Sequence, residues 1–293
     1  EGKTVIKQIK VDGNPAGFKV DDQILTIHLK NKLCINESSK IEIEFEDIIP
    51  QSNGRYGIYN DITSLAYWYP ILAVHDGEDW KVRKYDNIGE SNYSDIADYY
   101  VNITLPDDEI VVGTGEKLNE YNKKNGYKKV KFKALNVRDF TLITSNKYLK
   151  ESKEVNGVTI DSYFLPEHRI CGLKAIKYVE NALAYYGKLI DPYPYRKINI
   201  VESNIGNAGM EYPQILSIGS SLYEDYENLA FEVTTLHEMV HQWFYGIVGN
   251  DQCNDPWLDE SIVTYLTAKY FRDDGREKVF ELQVLNNEFS LDQ

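Results

Sequence analysis

At 293 residues the chain exceeds one ordinary domain and has room for two, and its 42% hydrophobic content is enough for a sizeable core. Forty-six acidic against 32 basic residues leave a net charge of −14, which argues against nucleic acid and anionic membranes, because binding phosphates needs basic clusters. No apolar run reaches the roughly 18 residues of a membrane span and no apolar leader opens the chain; its start at Glu1 rather than Met implies that something preceded it.

The first half reads as strands. Leu25, Ile27 and Leu29 alternate with Thr26, His28 and Lys30, and Ile41, Ile43 and Phe45 alternate with glutamates. Val101, Ile103 and Leu105 repeat the pattern, as do Val130 and Phe132 between lysines, and Phe140 to Thr144 closes the series. A period of two is that of a sheet with one wet face. Turn signals separate the runs at Asp12-Gly13-Asn14, Asn53-Gly54, Asp76-Gly77 and Asn125-Gly126. An antiparallel β-sandwich-like domain is predicted over residues 1–147.

The period then changes. After a strand at Val158 to Ile160, Leu173, Ile176, Val179, Leu183 and Tyr186 recur at spacings of three and four, the mark of an amphipathic helix from Gly172 that Gly187 and Pro192 end. Ile198 to Val201 reads as a strand. Two helices follow, one with Leu229, Val233, Leu236 and Val240 on its apolar face, the other starting near Trp257 with Leu258, Val263, Leu266 and Tyr270 as its stripe. The whole is therefore predicted to be α+β with two domains, the second spanning residues 148–293, and the boundary rests on the change of period alone.

Cys34, Cys171 and Cys253 are odd in number and widely spaced, so they form no disulfide framework and read as structural. His28 reads as the polar side of a strand, and His75 and His168 as surface loops. The lysines at 123, 124, 128, 129, 131 and 133 read as a solvated strand face rather than a nucleic-acid site.

The chemistry concentrates in the second half. His237 and His241 stand four apart with Glu238 between them, and Glu260 follows nineteen positions after His241. Two histidines a helical turn apart project from one face and can reach one ion. Two imidazoles and a carboxylate suit one zinc ion and leave its fourth position open for water, with Glu238 beside that water as general base rather than ligand.

This spacing resembles the gluzincin metallopeptidases. Together with Trp257-Leu258-Asp259-Glu260-Ser261, whose usual family form is Trp-Leu-Asn-Glu-Gly, it is similar to the M1 aminopeptidase family. Ala208-Gly209-Met210-Glu211-Tyr212 resembles that family's Gly-Ala-Met-Glu-Asn strand and precedes His237 by the expected distance, while Tyr67-Trp68-Tyr69-Pro70 and Asp139-Phe140 look like its N-terminal β-domain. The resemblance implies a thermolysin-like zinc peptidase domain, incomplete at its C-terminal end, following the β-domain. It implies zinc on His237, His241 and Glu260, and hydrolysis of the N-terminal peptide bond of peptides with a free N-terminus. Glu211 would bind the substrate α-amine, and the backbone of Ala208, Gly209 and Met210 would pair with the extended substrate.

Some residues depart from the pattern. Tyr212 stands where the family has Asn, which bears on the first subsite, and the family's oxyanion-stabilising tyrosine would lie beyond Gln293. The resemblance thus implies that residues 1–293 alone bind zinc but turn over poorly. Two rival readings are a non-catalytic peptide-binding scaffold of the same fold, which needs no Glu238, and a zinc endopeptidase, which needs no Glu211.

Overall fold

The computed structural model describes residues 2–83, 92–122, 125–206, 208–225, 227 and 229–290, with side chains as far as Gln283. It is α+β. The first half is built from antiparallel ladders. Lys3–Val11 pairs with Ile41–Ile48, and Ala97–Pro106 pairs with Tyr127–Val137, which also carries Glu116–Asn122 on its other edge. A further sheet runs in the order 110–113, 142–145, 62–65, 56–59.

Two of these sheets face each other. Val130, Phe132 and Leu105 from one pack against Val111 and Leu142 of the other, with Phe140 sealed between them. The alternate residues, Val112 and Ile143, point the opposite way and join Ile62, Tyr163, Val201, Met210 and Tyr212 in a second cluster. Because successive side chains on a strand face opposite sides, one thin sheet serves both the sandwich core and the seam with the second half.

The second half centres on a five-stranded sheet ordered 149–155, 158–164, 197–203, 215–219, 209–210. Its three middle strands are parallel and its two outer pairings antiparallel. Such a sheet needs helices to cover it, and α1 (Arg169–Leu189) makes the crossover between strands 158–164 and 197–203. Then come α2 (Ser220–Glu224), α3 (Leu229–Val240), α4 (Pro256–Asp273) and α5 (Glu277–Ser290). Tyr186, Phe231, Leu236, Met239, Trp243 and Phe271 fill the core between sheet and helices. No helix among the described residues is long and apolar enough to cross a membrane.

Several local expectations shift. The strand carrying Leu25 stops at Ile27, and Leu29 lies past its end with 43% of its surface exposed. The strand expected from Phe140 begins at Leu142, because the amides of Phe140 and Thr141 are taken by the Tyr69 hydroxyl and Thr114 Oγ1 instead of a ladder. Helix α1 starts at Arg169, three residues before Gly172. Pro166 opens a 3-10 turn that feeds it, and Gly172 is a packing position where a Cβ would lie 2.1 Å from the Phe164 ring. It also runs two residues past Gly187. On α3 the buried residues are Phe231, Thr235, Leu236, Glu238, Met239 and Val240, while Leu229 is 37% exposed.

The unassigned polar residues divide. His28 is exposed, and His75 sits on the short strand Val74–His75 rather than in a loop, its ring edge-on to Trp80. His168 is not surface decoration: its Nδ1 lies 2.9 Å from the fully buried carboxylate of Glu202, which also accepts the Leu165 amide. Lys128 is buried and paired with Glu120 at 2.8 Å, so the lysine strand is not simply a solvated face; Lys123 and Lys124 lie outside the described residues. None of the three cysteines is in a disulfide. Cys171 is buried with its thiol on the Tyr223 carbonyl, whereas Cys34 is exposed and only its backbone is bonded, to Glu37.

Candidate metal centre

Helix α3 brings His237 and His241 together because four residues advance it by just over one turn. The two Nε2 atoms stand 3.2 Å apart. Helix α4 crosses beside it, placing Glu260 Oε2 3.2 Å from His237 Nε2 and Oε1 3.8 Å from His241 Nε2. A tetrahedral ion with bonds near 2.0–2.1 Å would want its ligand atoms about 3.3 Å from one another. The two nitrogens and the Oε2 approach to His237 meet that, while His241 is reached at 3.8 Å by the other carboxylate oxygen, so that one atom from each residue lies within 4.8 Å of the others.

The tautomer fits as well. His241 Nδ1 is 3.1 Å from the Phe244 carbonyl oxygen and 3.4 Å from Asp259 Oδ1. A nitrogen facing two acceptors carries a proton, so Nε2, turned toward His237 and Glu260, is the nitrogen available to exchange a proton for a metal ion. Asp259 is 3% exposed and sits in the first turn of α4, whose N-terminus favours its charge.

Glu238 lies against Gly209, with a carboxylate oxygen within 4.8 Å of a His241 ring nitrogen. It is 4% exposed and its Oε2 has no hydrogen-bond partner, a costly arrangement for a carboxylate oxygen. Glu211, also buried, approaches it: one ligand atom each from Glu211, Glu238 and His241 lie within 4.8 Å of one another. At that separation two carboxylates repel by about 3–4 kcal/mol at an effective dielectric near 20.

The charge states express the same excess of negative groups. Burial, then the Glu211 charge, pushes Glu238 well above the usual carboxylate range. Burial holds His237 below its ordinary value. Burial pulls on His241 in the same way, but the carboxylates of Glu211, Asp259 and Glu238 outweigh it and raise the imidazole to about 10. Burial opposes ionisation of Glu260, yet His237 and His241 bring it below its usual value. Four carboxylates crowd two imidazoles whose Nε2 atoms stand side by side. That donor set is suited to a divalent cation.

The strand Gly209–Met210 lies at the edge of the sheet, paired on one side only with Ile218 and Ser217. Gly209 is there because nothing larger fits: a Cβ would fall 2.0 Å from Glu238 Oε1. Since the obstacle is the tip of a flexible side chain, Gly209→Ala is expected to displace the carboxylate rather than unfold the sheet. The variant's melting temperature should therefore stay nearly unchanged in a thermal denaturation.

Tyr212 is buried and leaves the site, its ring edge-on to Tyr67 in the seam between the halves. Its carbonyl accepts Gln242 Nε2 at 3.2 Å while Gln242 Oε1 accepts the Gln214 amide at 2.7 Å. The residue directly after His241 thus ties down the loop that follows Glu211. Ala208 is exposed, and its carbonyl accepts the Gly219 amide at 3.0 Å. Neither Gln242 nor the two acceptors on His241 was identified as part of the site from sequence. Only the adjacency of Gln242 to His241 and of Asp259 to Glu260 signals them.

The fold is similar to that of solved M1 zinc metallopeptidases. The chain superimposes on the crystal structure of an M1 zinc metallopeptidase from Deinococcus radiodurans with a TM-score of 0.69 and 16% identity, over 94% of this chain and 62% of that one. A variant of that protein solved with a Tyr-Ser-Ala substrate gives 0.64 at 15% identity, over 93% of this chain and 62% of that one. Residues 174–292 match the model of the peptidase family M1 domain. Among curated relatives, the probable aminopeptidase 1 of Sulfurisphaera tokodaii is 22% identical over 92% of this chain and 34% of its own length. Aminopeptidase RNPEPL1 of Homo sapiens is 34% identical over 30% of this chain and 12% of its own length. The chain therefore spans about a third of the first of these relatives.

Proposed function

We propose that the protein carrying this chain is a zinc-dependent aminopeptidase, with residues 1–147 as a β-domain seated against a peptidase domain that begins at residue 148. His237, His241 and Glu260 hold one zinc ion. When bound, zinc supplies Lewis-acid activation of water and of the scissile carbonyl.

The chain's own residues do the rest. Glu238, buried and with one oxygen unpartnered, takes the proton from the attacking water and delivers it to the leaving amine. Its raised proton affinity, from burial and from Glu211, suits a group that must accept a proton and then release it. Glu211 receives the α-ammonium of the substrate, a charge-assisted contact that also relieves its repulsion with Glu238. The backbone of Ala208, Gly209 and Met210, on the sheet's edge strand, pairs with the extended substrate, and Gly209 lets that chain pass close to Glu238.

One observation carries the choice of aminopeptidase over endopeptidase: Glu211 and Glu238 reach the same His241 that belongs to the ligand trio. An amine anchored so close to the metal ligands leaves room for a single residue before the scissile bond. The Tyr-Ser-Ala complex of the Deinococcus radiodurans protein and the L-arginine complex of a two-domain M1 zinc metallopeptidase agree in ligand class.

The test compares cleavage of one peptide with a free and an acetylated N-terminus. The free form is expected to be strongly preferred. Glu211→Ala should erode that preference, losing as much as about 2–5 kcal/mol of transition-state stabilisation, the range for one partner of a buried charge pair. Equal discrimination by mutant and parent would remove Glu211 from its assigned role.

A further inference from the structure

The turn that follows α3 folds back on His241. Gly246 N–H donates to the His241 carbonyl at 2.9 Å, and the Phe244 carbonyl meets the His241 ring at 3.1 Å. Between those two residues stands Tyr245, with a φ of 104°. A side chain in that region costs of order 1–3 kcal/mol and persists only where its surroundings enforce it.

The enforcement comes from the other half of the molecule. Arg138 Nε donates to the Tyr245 carbonyl at 2.8 Å, and the Tyr245 hydroxyl donates to the carboxylate of Asp139, the very next residue. The Tyr245 amide donates to the Val248 carbonyl at 2.8 Å. Arg138 is itself fixed, donating from Nη1 to the Ser94 carbonyl at 3.1 Å and packing so closely on Gly249 that a Cβ there would lie 2.2 Å from its guanidinium carbon. Asp139 is 1% exposed and Tyr245 is 5% exposed, so neither bond is shared with bulk water.

The geometry links this clamp to the metal ligand. The Phe244 carbonyl and the Tyr245 amide belong to one peptide plane, and rotation about φ of Tyr245 moves that plane relative to everything after it. If Tyr245 relaxed to a negative φ, the carbonyl would leave His241 Nδ1. We propose that Arg138 and Asp139 are positioning residues for His241: by gripping Tyr245 at its carbonyl and hydroxyl they hold the Phe244 carbonyl on Nδ1 and so aim Nε2 at His237 and Glu260. The proposal rests on the reading of His237, His241 and Glu260 as zinc ligands. It assigns Tyr245 a structural bond rather than a hydroxyl aimed at substrate, and makes the β-domain a participant in metal binding.

The test measures the zinc dissociation constant of the chain by competition with a chromophoric chelator, with the cobalt(II) ligand-field spectrum as a second readout. Tyr245→Phe removes a single oxygen, and Asp139→Asn removes the acceptor's charge. Each is expected to weaken zinc by about tenfold, the low end for outer partners of metal-binding histidines, and to shift the cobalt bands. The double variant should lose no more than either single one, since both break the same bond. Tyr245→Gly combined with Asp139→Ala should recover affinity, because glycine adopts the positive φ without a clamp. Failure of the unaltered chain to bind zinc would defeat the ligand reading itself. Unchanged affinity and spectrum in Tyr245→Phe, with only the melting temperature lowered, would overturn the clamp alone, as would fully additive losses in the double variant. Should Asp139→Asn not fold, Tyr245→Phe decides.

Discussion

Replacing Glu238 by Gln in the active protein is expected to lower kcat by about 10²–10⁴-fold, the contribution of a positioned general base. Gln keeps the shape but cannot take a proton. Zinc content should not change, because Glu238 lies outside the trio of His237, His241 and Glu260. Stability should not fall either, since the substitution removes the repulsion between two buried carboxylates. Kinetics with an aminoacyl substrate, metal analysis and a thermal melt on one preparation give all three quantities. A variant that retains a tenth or more of the parental turnover would take the proton-transfer role away from Glu238.

The opposite pattern is expected of His237→Ala. A three-ligand site loses one ligand, and the carboxylates that surround it lose the cation that offsets them. Zinc bound at equimolar concentration should drop from about one ion per chain to nearly none, and turnover should disappear with it. The two variants thus separate holding the ion from using it. If His237→Ala kept zinc at stoichiometric level, the ion would sit elsewhere, and the second cluster of Glu211, Glu238 and His241 would be its place.

What was legible in the sequence follows the reach of each signal. The pair His237 and His241 was readable because its spacing is that of a helix, and a helix is a local object. Glu260 was readable because helix α4 announces itself by period and by Pro256 at its start. The alternating strands and the change of grammar after residue 147 gave the α+β class for the same reason. Contacts between distant segments leave no periodic trace. Nothing around Arg138 or Asp139 points to Tyr245, over a hundred residues later, and nothing at His168 points to Glu202. Even local grammar fails where packing intrudes: Gly172 reads as a helix boundary and is a notch for Phe164. Tyr212 was read as a change in the first subsite, whereas its ring lies in the seam against Tyr67. The candidate ligands are local enough to read from sequence, whereas their supporting partners appear only in the fold.

The central claim is where the metal sits, and anomalous diffraction at the zinc edge from crystals of this chain tests it most directly. The expected result is a single peak bounded by His237 Nε2, His241 Nε2 and a Glu260 oxygen at about 2.0–2.2 Å, with Glu238 outside bonding distance. A peak between Glu211, Glu238 and His241, or none at a zinc concentration that saturates the protein in solution, would contradict it.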